Sequence, residues 1–161
     1  MRNEKRRVSQ LARLIATWFY CGYVPKGPGT AGSIGALLVA WPIAASTGWS
    51  PHVIAALAIV MLLPAIWAAG RLARDTGLKD PQIVVVDEVV GQWIALAAVP
   101  YLEDWECWLA AFVLFRLFDI WKPWPIRALE KIPGGAGIVL DDVGAGIYAA
   151  LVLFLAGWFN R

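Results

Sequence analysis

The chain has 161 residues, a formal charge of +2, a hydrophobic share of 60% and a mean hydropathy of +0.62. That length fits one domain, and the apolar share is too high for an ordinary soluble one. A surplus of two positive charges gives a nucleic-acid partner no support, so none is expected.

Ten Trp in so short a chain suit a membrane setting, where indole rings gather at the interfaces. Cys21 and Cys107 lie far apart and form no CxxC or Cys/His ligand spacing, so free buried thiols are expected. The basic stretch Met1–Arg7 is not followed by a short apolar core with a small-residue cleavage site, so a cleaved signal peptide is not expected.

Residues 8–22 predict an amphipathic helix lying in the membrane interface. Leu11, Leu14, Ile15 and Trp18 share one face there, and Arg13 with the early basic cluster can meet anionic headgroups. A Pro/Gly-rich loop follows, from Val24 to Gly29, and Thr30-Ala31-Gly32-Ser33 opens an apolar helix. Residues 27–70 contain no Asp, Glu, Lys or Arg. A crossing needs about 20 mostly apolar residues, so this stretch suffices for two, with a turn at Gly48-Trp49-Ser50-Pro51-His52.

Membrane helices are predicted near residues 32–47, 53–70, 89–102, 105–118 and 143–159. The third and fourth are short, reaching about 21 Å at 1.5 Å per residue. They must tilt little, thin the bilayer, or be shielded by the other helices. The expected fold is therefore all-α, a multi-pass membrane helical bundle of about five membrane helices plus the N-terminal interfacial helix, forming one domain over residues 1–161.

With the N-terminus inside, residues 1–31, 71–88 and 116–142 face the cytoplasm and hold 13 of the 14 Lys and Arg; Arg161 is the exception. The outer turns hold Glu103, Asp104 and Glu106 and no base. This asymmetry follows the positive-inside rule.

The motifs that carry chemistry fall on that same side. Asp87-Glu88 ends a short extended run and begins a helix, on which Glu88, Gly91 and Gln92 share a face. Asp141-Asp142 has the same form, followed by Val143-Gly144-Ala145-Gly146. Acids at a helix N-terminus also cap it and suit its dipole, which is the plain alternative for both pairs. Four converging carboxylates would repel one another without a cation, and hard divalent ions such as Mg²⁺ prefer such oxygen-rich clusters.

Asp119 comes near the C-terminal end of a helix, because Pro123 and Pro125 disfavour continuation. The dipole disfavours an acid there, so it needs a partner: Arg116 at i−3 or a bound metal. Gly29-Thr30-Ala31-Gly32-Ser33 joins a glycine-rich loop to a helix N-terminus, a place suited to phosphate, although a plain capped turn has the same pattern. It lacks the Gly-Lys-Ser/Thr ending of a Walker loop. Lys26, Arg116 and Lys122 add positive charge for an anionic substrate.

Absences narrow the reaction. His52 is the only histidine and falls in an outer turn. Neither cysteine is followed six residues later by Arg, and no Asp-x-Asp pair is present. A hydrolase built from this chain is left with a metal-activated water.

Taken together, four segments resemble the phosphatidylglycerophosphatase A family: Gly29 to Ser33, Asp80 to Gln92, Phe115 to Ile126 and Asp141 to Gly146. The likeness runs from about residue 20 to 158. It implies Mg²⁺-dependent hydrolysis of phosphatidylglycerophosphate, a phospholipid substrate, to phosphatidylglycerol and inorganic phosphate in the bacterial cytoplasmic membrane. The expected site gathers Asp87, Glu88, Asp119, Asp141 and Asp142 around one or two Mg²⁺ at the cytoplasmic face. Lys26, Arg116, Lys122 and the Gly29, Thr30, Gly32 and Ser33 segment hold the phosphate. The rival from another class is a small membrane cation transporter or channel using the same acids, which would place them near mid-span rather than at helix ends. A non-catalytic membrane scaffold is a further alternative.

Overall fold

Proline and glycine punctuate the chain where its helices start and stop. The computed structural model describes residues 9–48, 50–101 and 104–159, with backbone alone at 158 and 159. The early basic cluster through Arg7, Trp49 of the expected outer turn, Glu103 and Arg161 lie outside the described residues. Among the described residues, seven α-helices run in order: α1 (Gln10–Ala16), α2 (Pro28–Thr47), α3 (Pro51–Thr76), α4 (Val86–Leu96), α5 (Trp105–Trp121), α6 (Ile126–Leu129) and α7 (Gly135–Phe159). A single 3-10 turn spans Cys21–Tyr23, and no strand forms among the described residues. Pro28 and Pro51 take the first position of α2 and α3, where a missing N–H is harmless. Gly48 and Gly77 close the same two helices in the left-handed region, at φ 70° and 74°.

Among the described residues, three helices are long and apolar enough to cross a membrane: α2 with 20 residues, α3 with 26, and α7 with 23 through Gly157. Helix α4 has 11 residues and α5 has 17. At 1.5 Å per residue they reach about 16 Å and about 25 Å. The expected helix at 89–102 thus gives way to a shorter one, because Pro100 keeps Val99 out of helical geometry. Nearly every side of α4 is buried, among α2, α3, α5 and α7. A helix apolar on most sides and enclosed by protein can end without facing lipid.

Two other limits differ from expectation. Helix α7 starts at Gly135, well before residue 143. Gly134 supplies the turn at φ 75°, and Ile138-Val139-Leu140 continues the helix without a break. The N-terminal helix stops at Ala16 because Trp18, Phe19 and Tyr20 take left-handed geometry at φ 45°, 52° and 71°. Its buried side is Ala12 and Ala16, set against α3, while Leu11 is exposed. Trp18 leaves the expected face to pack edge-on to Trp93, with ring centroids 5.5 Å apart.

Small residues let the helices approach. A Cβ at Gly146 would strike the Gly91 carbonyl, and one at Gly135 the Ile66 carbonyl. These contacts set α7 against α4 and α3. Ala36, Ala40 and Ala44 make a buried row on α2. Such rows are how membrane helices pack when lipid offers no hydrophobic drive between them. Trp93 Nε1 donates to the Ala36 carbonyl at 3.0 Å and ties α4 to α2. The outward face carries exposed Leu38, Ile59, Val60, Leu63, Phe154 and Leu155, a surface suited to hydrocarbon rather than water.

Candidate active site

Helices α2 and α4 begin, and α5 ends, at one end of the bundle, where α7 passes them. Between them lies a cavity of about 390 Å³. Its walls include Gly29, Asp87, Glu88, Arg116, Asp119, Lys122, Asp141 and Asp142, so the four sequence motifs meet in one place.

Asp87 and Glu88 occupy the first turn of α4, as expected. Asp142 reaches them from α7. Each of these three acids offers a carboxylate oxygen within 4.8 Å of the others. Asp87 Oδ1 and Glu88 Oε2 are buried without a hydrogen-bond partner among the described residues. Three carboxylates this close repel, and orphaned buried oxygens are costly. The donor set therefore fits a hard divalent cation.

The other two acids line the same cavity but are neutralised by bases. Arg116 NH1 lies 2.7 Å from Asp119 Oδ2 and 3.9 Å from Glu88 Oε1. Lys122 Nζ lies 2.6 Å from Asp141 Oδ2 and 3.7 Å from Glu130 Oε2. Partial burial works against the charged form of Lys122. The hydrogen bond and attraction of Asp141, helped by Glu130, outweigh it and hold the ammonium above its usual range.

The reading of Asp141-Asp142 as a helix cap is corrected. Both lie about two turns inside α7, so neither can serve its N-terminus. Their place away from a helix end also removes part of the positional argument against an ion pathway. Thr30, Gly32 and Ser33 belong to the first turns of α2, as expected, and Gly29, expected in the preceding loop, joins them. A Cβ at Gly29 would collide with Glu88 Oε1 and lie 3.2 Å from Arg116 NH1, so this glycine makes room for the acid and its partner. The Ala31 N–H bonds Gly27 O at 3.0 Å, so the Gly29 and Thr30 amides precede the helical ladder. Gly32 abuts Val85, and the buried Ser33 hydroxyl donates to Gly29 O at 3.1 Å. Lys26 is exposed and, like the Thr30 side chain, is not part of the cavity wall.

Sequence reasoning missed Gly27, Asp80 and Gln82 as wall residues. Asp80 had a signal, an acid beside Lys79 in the loop before the apolar run; Gln82 had little. Burial raises the Asp80 carboxyl, Lys122 and Lys79 pull it back, and Glu130 with Asp119 add to the rise. Gln92, expected on the Glu88 face, is fully buried with neither amide atom partnered among the described residues. Both cysteines are free and half-buried rather than buried.

Fold and site together define a helical membrane protein whose acidic, one-ended cavity suits a divalent cation with a phosphate-sized anion. The sequence signature described as phosphatidylglycerophosphatase A matches residues 14–157. The chain belongs to the phosphatidylglycerophosphatase A family, a family of phosphatases. The phosphatidylglycerophosphatase A of Escherichia coli is 35% identical, over 96% of this chain and 88% of its own length. That of Haemophilus influenzae is 39% identical, over 94% and 93%. A protein of Bacteroides thetaiotaomicron, named provisionally as a phosphatidylinositol-3-phosphatase, is 42% identical over 95% and 98%. No solved structure matches the chain.

Proposed function

We propose that the protein hydrolyses the terminal monoester of phosphatidylglycerophosphate, releasing phosphatidylglycerol and inorganic phosphate, at the cytoplasmic face of a bacterial inner membrane. The observation that carries this reading is the single cavity in which Asp87, Glu88 and Asp142 converge beside Arg116 and Lys122, in a chain of this family. Mg²⁺ held by those three acids would polarise the phosphoryl oxygens and lower the pKa of a bound water. Arg116, Lys122 and the Gly29 amide would hold the phosphate oxygens. One of Asp87, Glu88, Asp141 and Asp142 takes a proton from the attacking water. The bond from phosphorus to the glycerol oxygen breaks, and that oxygen leaves as the alcohol after gaining a proton.

The finer topology has five passes, with α4 and α5 as the short ones. Arg71, Arg74, Lys79, Arg116, Lys122, Arg127 and Lys131 lie in the helix ends and connections on the cavity side, which favours a cytoplasmic placement. The test is phosphate release by purified protein from phosphatidylglycerophosphate, phosphatidylinositol-3-phosphate and phosphatidic acid, with and without Mg²⁺. Phosphatidylglycerophosphate should be preferred, and chelator should abolish turnover. Full turnover by metal-free protein in excess chelator would reject the metal reading. Preference for the phosphoinositide, which the name of the 42% identical relative favours, would replace the substrate assignment.

A further inference from the structure

A second cavity, of about 540 Å³, lies where α5 gives way to α6. Trp121, Lys122, Trp124, Arg127 and Lys131 wall it, and no acid does so among the described residues. Lys122 belongs to both cavities, and its ammonium is already engaged by Asp141 and Glu130. The other two bases are not engaged in that way. Arg127 NH2 donates only to the Trp121 carbonyl, at 3.4 Å, and neither Arg127 nor Lys131 has an ion-pair partner among the described residues. Both are exposed, as are the two indoles, with Trp124 at 83%. Unpaired bases beside exposed Trp make a surface for an anion attached to an apolar body.

We propose that this cavity is a second anion subsite, which takes the phosphodiester of a lipid headgroup while the acid-lined cavity takes its monoester. The proposal rests on the lipid phosphatase reading and adds to it a source of selectivity. Phosphatidylglycerophosphate and phosphatidylinositol-3-phosphate carry a diester and a monoester joined by a short polyol. Phosphatidic acid and inorganic phosphate carry no diester. The wall shared through Lys122 sets the two subsites side by side, as one molecule with two phosphates requires.

The test uses the full chain in neutral detergent and the double variant R127Q/K131Q, which leaves every residue of the acidic cavity in place. The first readout is equilibrium binding of short-chain phosphatidylglycerol, which has the diester alone; it does not depend on turnover. Binding should weaken about tenfold or more in the double variant and stay unchanged in Asp142→Asn, while diacylglycerol binding stays the same in all three proteins. Equal phosphatidylglycerol affinity in wild type and double variant overturns the proposal. The second readout is kinetic. KM for phosphatidylglycerophosphate should rise about tenfold with little change in kcat, and phosphatidylglycerol should inhibit wild type competitively. Lipid binding that leaves turnover uninhibited would put the lipid on a separate surface patch and also overturn it. Loss of hydrolysis in every protein with the binding difference intact would instead fault the enzyme reading.

Discussion

Asp142 and Asp119 do different things with the same functional group. Asp142 lies inside α7, so Asp142→Asn disturbs no cap and relieves repulsion with Asp87 and Glu88. The variant should fold normally, bind Mg²⁺ more weakly by calorimetry, and lose about a hundredfold or more in turnover. Near-wild-type rates at saturating Mg²⁺ would take Asp142 out of the site. Asp119 is held by Arg116 in the last turn of α5. Asp119→Asn removes an acid that the dipole disfavours, but it also takes the close partner from a largely buried Arg116, so a modest net loss of stability is expected. Its turnover should still fall steeply, because Arg116 is left to pair more closely with Glu88. Gly29→Ala offers a cleaner separation. The added methyl meets the movable end of Glu88 rather than backbone, so thermal stability should hold while turnover drops. A matching loss of stability would make Gly29 a packing residue. The carboxylates were legible in the sequence as motifs, because acids in apolar surroundings demand a reason. How they divide between the three-acid cluster and ion pairs was not legible, since it depends on which helix faces which.

At the level of elements, the crossing of α4 and α7 is the sensitive joint. Gly146→Ala drives a methyl into the Gly91 carbonyl, and backbone cannot swing aside as a side chain can. A cost of about 1–3 kcal/mol is expected from overpacking, read as a lower unfolding midpoint in detergent. Unchanged stability would mean that α7 slides freely past α4. The turn between α2 and α3 was legible, because Gly48 closes one and Pro51 opens the next; the start of α2 at Pro28 and the end of α3 at Thr76 lie beyond the expected limits of 32 and 70. The limits of α4 and α7 were not legible. Hydropathy marks where a segment turns apolar, and α7 begins earlier, in the Gly-rich run before its acids, where small residues serve close packing.

For the whole molecule, charge placement and helix order predict opposite sides for the α3–α4 loop and the start of α5. Single cysteines at Lys79 and Glu106, in a chain without Cys21 and Cys107, should react with an impermeant reagent from opposite faces of the membrane. Reaction from the same face would rule out the arrangement. Charge asymmetry and hydropathy made the all-helical membrane design legible. The number of full crossings was less so, because an enclosed helix and a lipid-facing one can have the same composition.

The enclosure of α4 bears on biogenesis. A segment of 11 residues falls well short of the roughly 20 that a crossing needs, so α4 is a poor substrate for the insertion machinery. Its seat is completed by Gly146 of α7, which is synthesised later. The segment that carries two of the acids should therefore wait, unseated, until the last helix arrives. In a nascent chain stopped at Ile132, a cysteine at Val90 should react with an impermeant thiol reagent, and in the finished chain it should be protected.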